Sequence, residues 1–131
     1  MKAPADAEGH LYRVSTTAPE VYWIDGGTRR HVPDPATLLG IFVDGVNVDV
    51  DADAANWDTG LEIPCGAVLT KAPERPEVYL IDQVEQDGPA VRRHVASPAA
   101  AAKYNLGLDK VRLAPTGFML FDGITESAQI G

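Results

Sequence analysis

Cysteine is almost absent: Cys65 is the sole example among 131 residues. No internal disulfide can form, and a cysteine-based metal site is not expected. Apolar runs are short, and none approaches the ~20 residues needed to span a bilayer. The N-terminus, M-K-A-P-A-D-A-E-G-H, has no apolar core and does not read as a signal peptide. A soluble chain is expected, either cytoplasmic or built into a particle such as a virion. Basic residues are scarce and unevenly placed. Between Arg30 and Lys71 there is no Lys or Arg, while Asp44, Asp49, Asp51, Asp53, Asp58 and Glu62 all fall there. The net charge of -8 opposes non-specific nucleic-acid or anionic-membrane binding, because both need a positive field. No nucleophile elbow and no glycine-rich phosphate loop after a strand is readable.

What is present is one stretch used twice. P-E-V-Y-W-I-D-G-G-T-R-R-H-V-P-D-P runs from Pro19 to Pro35. From Pro76, P-E-V-Y-L-I-D returns, followed by a longer tip and R-R-H-V-A-S-P ending at Pro98. Val21 to Asp25 and Thr28 to Val32 read as hairpin arms around Gly26-Gly27, a pair suited to a turn in which both residues take φ > 0. That turn predicts Tyr22 opposite His31, Trp23 opposite Arg30 and Ile24 opposite Arg29. One face then carries Val21, Trp23, Arg30 and Val32, and the other Tyr22, Ile24, Arg29 and His31. The second copy places Val78, Leu80, Arg93 and Val95 on one face and Tyr79, Ile81, Arg92 and His94 on the other.

Asp34-Pro35 and Ser97-Pro98 each place a capping side chain before a first-turn proline. A helix is expected over Pro35 to Leu39, ended by Gly40, and another from Pro98 to Asn105, stopping near Gly107. Strands follow at Val46 to Val50 and at Val111 to Leu113. A Pro-x-Gly turn and a last strand close each copy, Ala67 to Thr70 in the first and Phe118 to Phe121 in the second. The predicted fold is α+β, mainly short antiparallel strands with two short helices. Residues 1–10 are read as a flexible start, 11–71 and 72–121 as two repeats sharing one core, and 122–131 as a tail. A lone unit of ~50 residues buries too little apolar surface to be stable, so one globule is expected.

Candidate binding residues are Tyr22, Arg29 and His31, with Tyr79, Arg92 and His94 in the second copy. Guanidinium and imidazole groups beside an apolar surface suit a carboxylate or phosphate. The competing reading is structural: Arg29 and Arg30 point to opposite faces, Arg30 can lie over Trp23, and Arg29 can pair with Glu20 or Asp25. The three histidines, His10, His31 and His94, form no ligand set for zinc. The acids from Asp49 to Asp58 invite a calcium loop. Counted from Asp49, however, Ala54 stands where glycine is needed and Gly60 where a bidentate Glu is needed. Cys65 reads as a buried or partly buried structural thiol. No metal and no cofactor is expected. The strand after the first helix carries Asp49 and Asp51, and the one after the second carries Lys110 and Arg112. Their opposed charges could key the copies together or join neighbouring chains.

The stretch P-E-V-Y-W-I-D-G-G-T-R-R-H-V-P-D-P-A-T-L-L-G resembles a short hairpin-helix repeat of actinobacterial proteins and of proteins of phages that infect those bacteria. The likeness runs over Pro19 to Leu69 and, with a departure at the Gln83 to Ala90 tip, over Pro76 to Leu120. It implies an accessory, interaction or structural module and supplies no catalytic residues. The expected function is a non-catalytic protein-interaction or assembly module, as in a phage particle, acting on a protein partner or on copies of itself. The alternatives are a glycan or cell-wall binding module stacking sugar on Trp23, Trp57 and the hairpin tyrosines, and a small enzyme of unreadable class.

Overall fold

The structure is a computed structural model that describes residues 1–114 and 123–131. The chain forms an α+β fold with two sheets. Strands β1 (Leu11–Arg13), β2 (Tyr22–Asp25), β3 (Thr28–His31) and β4 (Val48–Val50) form the first, in the order β3-β2-β1-β4. Strands β5 (Leu69–Lys71), β6 (Tyr79–Asp82), β7 (Val91–His94), β8 (Arg112–Leu113) and β9 (Thr125–Glu126) form the second, in the order β8-β5-β6-β7-β9.

Gly26 and Gly27 have φ of 65° and 77°, the left-handed pair that lets a two-residue turn follow the twist of its strands. The register comes out as the sequence predicts: Tyr22 faces His31, Trp23 faces Arg30 and Ile24 faces Arg29. In the second hairpin Tyr79 faces His94, Leu80 faces Arg93 and Ile81 faces Arg92. Other contacts also recur. β1 and β5 each pair antiparallel with the strand after them and parallel with β4 or β8. The Ile63 amide donates to His31 O, and the Ile130 amide donates to His94 O.

Helices α1 (Pro35–Ile41) and α2 (Pro98–Lys103) start where the caps predict. Asp34 Oδ1 accepts from the Thr37 amide at 2.7 Å, and Ser97 Oγ accepts from the Ala100 amide at 3.1 Å. Their ends differ from expectation. α1 runs through Gly40 to Ile41, and Ile41 is fully buried in the core. Burying Ile41 outweighs the weak helix propensity of one glycine. α2 ends before Asn105, which takes φ 61°, so the left-handed exit belongs to Asn105 and not to Gly107. The two exits then meet. Phe42 bridges Leu106, the Val43 amide donates to Asn105 O, and the Gly107 amide donates to Ile41 O.

One apolar cluster takes residues from both sheets and both helices, including Leu11, Trp23, Ile41 and Phe42 from the first half and Leu80, Ala101, Leu106 and Ile130 from the second. Three assignments from sequence change. Residues 1–10 are not loose: Ala7 is fully buried, the Ala3 amide donates to Gly27 O, and the N-terminal amine meets Asp58 at 2.7 Å. The Glu8 carboxylate accepts from the amides of Gly26 and Gly27 and from the Tyr104 hydroxyl, at 2.7, 3.0 and 2.6 Å. Within the tail, β9 pairs with β7 and Ile130 is buried. Finally, Leu69–Lys71 pairs with β6 in the second sheet, so the first half ends sooner than residue 71. The expected strand Phe118 to Phe121 and the turn Pro115-Thr116-Gly117 lie outside the described residues.

Candidate functional site

The two hairpins place their tips against each other, and four charged residues meet there. Arg30 Nη1 and Nη2 donate to the two carboxylate oxygens of Asp82, each at 2.8 Å, and Nη1 also donates to Asp25 at 3.0 Å. Arg93 does the converse: Nη1 and Nη2 donate to Asp25 at 2.6 and 3.2 Å, and Nη1 also donates to Asp82 at 3.1 Å. Each arginine thus grips, with its planar fork, the aspartate of the other hairpin. Each Nε–H then donates to a backbone oxygen, Leu61 O at 2.7 Å for Arg30 and Ala128 O at 2.8 Å for Arg93. The Asp82 side chain is fully buried and that of Asp25 is 12% exposed. Burial works to raise the Asp82 pKa, but the bonds from Arg30 and Arg93 outweigh it and hold the carboxyl below its ordinary value. Burial works to lower the pKa of Arg30 and Arg93, and the aspartates reverse that too.

Arg30 also lies over the Trp23 ring at 6.0 Å, as expected from the register. Asp25 is committed to this cluster, so Arg29 does not pair with it. Arg29 stacks over Tyr22 at 4.8 Å, and the Tyr22 and His31 rings are 5.7 Å apart. The second hairpin repeats the stack, with Arg92 over Tyr79 at 5.5 Å and Tyr79 to His94 at 5.4 Å. The six candidate binding residues therefore form two Arg-Tyr-His stacks, one per hairpin. They are not equally open: Tyr79 and Arg92 are buried, while Tyr22, Arg29 and His31 are half-buried. His31 Nδ1 meets Glu62 at 2.6 Å, and Arg92 meets Glu126 at 3.2 Å.

The proposed keying of Asp49 and Asp51 to Lys110 and Arg112 is not formed. β4 and β8 lie at the edges of different sheets. Lys110 sits in a 3-10 turn, Leu108–Lys110, ahead of the strand, so it does not share the face of Arg112. Its ammonium reaches Asp44 at 2.8 Å and the Leu39 carbonyl. Asp51 caps the 3-10 turn Ala52–Asn56 by accepting from the Asp53 amide at 2.9 Å, and Asp49 lies 3.7 Å from His10. Among the described residues no group of three or more His, Cys, Asp or Glu side chains could hold a metal ion.

Cys65 is exposed, contrary to the buried or partly buried thiol expected. Its Sγ–H donates to Asp34 Oδ2 at 3.0 Å, and that bond pushes the thiol pKa up. The thiolate, which is the nucleophile, is thereby disfavoured. Trp23 is fully buried and Trp57 is 5% exposed, so neither indole offers a stacking face to a sugar.

A groove of about 430 Å³ opens beside the first stack and one of about 360 Å³ beside the second. The first is walled by Pro19, Glu20, Val21, His31, Val32 and Pro35, and the second by Pro76, Glu77, Val78, His94, Val95 and Pro98. These are matching positions of the repeated stretch. Sequence reasoning read the motif residues but not the concavity, which arises where the chain enters each hairpin and leaves it for the helix. No family model, no curated protein and no solved structure matches the chain. No helix among the described residues is long and apolar enough to cross a membrane.

Proposed function

We propose that the chain is a non-catalytic protein-interaction module made of two copies of one hairpin-helix unit. The observation that carries this reading is the pair of grooves lined by the same residue types at six matching positions in the two halves. The charged groups nearest to catalytic machinery serve the fold: Arg30, Arg93, Asp25 and Asp82 satisfy one another, and the Cys65 thiol is held protonated by Asp34. An interlocked frame with two like recesses suits a docking or assembly role, in an accessory complex or a particle such as a virion. Native mass spectrometry across protein concentration and salt, paired with affinity capture by the intact chain, tests the reading. A defined complex, with another protein or with further copies of the chain, is the expected result. A single-chain mass throughout, with no protein retained, contradicts it.

A further inference from the structure

We infer that the two grooves receive a partner protein that offers the same extended segment twice, with a lysine or arginine set between apolar residues. This rests on the interaction-module reading and names the partner's chemistry. Each lining includes a valine pair joined across the hairpin, Val21 with Val32 and Val78 with Val95. Such a pair favours apolar side chains. Prolines recur in each lining, Pro19, Pro33 and Pro35 in the first groove and Pro76 and Pro98 in the second. Proline has no N–H, so these positions give no backbone donor to an anion. Each groove carries a carboxylate, Glu20 or Glu77, on a chain of net charge -8. Glu77 is half-buried, and its Oε2 has no hydrogen-bond partner among the described residues. Movement of that side chain toward the groove would let the oxygen accept from an incoming donor. His31 is already engaged by Glu62, which leaves acidic character at the first groove's rim. Charge complementarity therefore selects a cationic occupant over an anionic one.

Two like grooves on one frame give bivalency. A partner presenting the segment twice gains ~100-fold or more over one presenting it once, if its spacing spans both sites.

The probes are labelled nonapeptides with a central lysine between valines, single-copy and in tandem with a series of linkers, and the same peptides with glutamate in place of lysine. Fluorescence anisotropy and calorimetry with the intact chain should give two lysine-peptide sites per chain and tighter binding of the best-spaced tandem form. The glutamate peptides should not bind. Glu77→Lys should weaken one of the two sites by about tenfold or more. Glu20→Lys with Glu77→Lys should weaken binding by about tenfold or more. Circular dichroism checks that the variants keep the wild-type fold, and the conservative pair Glu20→Gln with Glu77→Gln serves in their place if they do not. Equal binding of the glutamate peptides, or none by the lysine peptides, overturns the inference. If affinity capture still retains a partner, the module reading survives that failure. If capture fails as well, both fall. Self-association of the chain that disappears in the double variant would assign the grooves to a second copy and overturn the separate partner.

Discussion

Asp82→Ala is expected to lower the free energy of unfolding by about 3–5 kcal/mol in urea titration, the cost of leaving a buried charge uncompensated. Its carboxylate is fully buried and takes bonds from Arg30, Arg93 and the Gln83 amide. Without it, two buried guanidinium groups share Asp25 alone. For a domain whose whole stability is roughly 5–15 kcal/mol, this loss removes a large share of the folded margin. Asp25→Ala should cost less, because the Asp25 side chain is 12% exposed and water can replace part of what is lost. Replacing all four residues with apolar ones of similar volume should cost far less than either single change. The same cluster sets an acid limit. The folded pKa of Asp82 lies below its unfolded value of about 3.9, so its contribution is fully present above that pH. The contribution disappears as pH falls through the folded value. Wild-type stability should therefore drop steeply below about pH 4, and the Asp82→Ala variant should show a shallower acid slope.

Trp23→Ala is the second large effect, at about 3–5 kcal/mol. Trp23 is fully buried, with its ring edge-on to Phe42 and Tyr104 at 5.6 and 5.9 Å. Its indole N–H donates to Tyr104 O at 3.2 Å, so truncation opens a cavity and orphans a carbonyl together. Trp23→Phe keeps most of the packing and should cost about 1–3 kcal/mol, largely for the unpaired oxygen. Val50→Ala, at a half-exposed edge position, should stay within about 0.5 kcal/mol of wild type. Chemical denaturation of the three variants checks the ordering. An equal cost for Trp23→Ala and Val50→Ala would contradict the core assignment.

Much of this fold is written locally. The Gly26-Gly27 turn and the alternation of its arms settle the first hairpin's register, and Asp34 and Ser97 settle where the helices begin. The crossed ion pairs were harder to see. Arg30 joins Asp82 across 52 positions, and Arg93 joins Asp25 across 68. From sequence, Asp25 reads as a tip residue available to Arg29. A signal existed, since the Asp of I-D and the second Arg of R-R-H recur in both copies, yet alternation alone cannot say that the two tips meet. Composition misled at both ends of the chain. The small, polar start looks loose, but Ala3 and Ala7 are small enough to pack beside Ile24 and Trp57. Ile130, in a short tail of mixed polarity, carries no periodic signal and still fills the shared core. The grooves come from the spacing between backbone segments, which side-chain pattern does not encode.

The shared core and the crossed pairs should make the two halves unfold as one unit, with both grooves on one frame. Trp57 packs in a cluster of first-half residues, so the part of the tryptophan fluorescence that it gives follows that half, while Trp23 reports the shared core against Tyr104. Amide exchange across Tyr79–Asp82 and Val91–His94 follows the second. Urea unfolding should give one midpoint by both probes in the wild-type chain, and one lower midpoint in the Asp82→Ala variant. A wild-type chain whose second half opens at a separate urea concentration, while the tryptophans stay buried, would contradict the account.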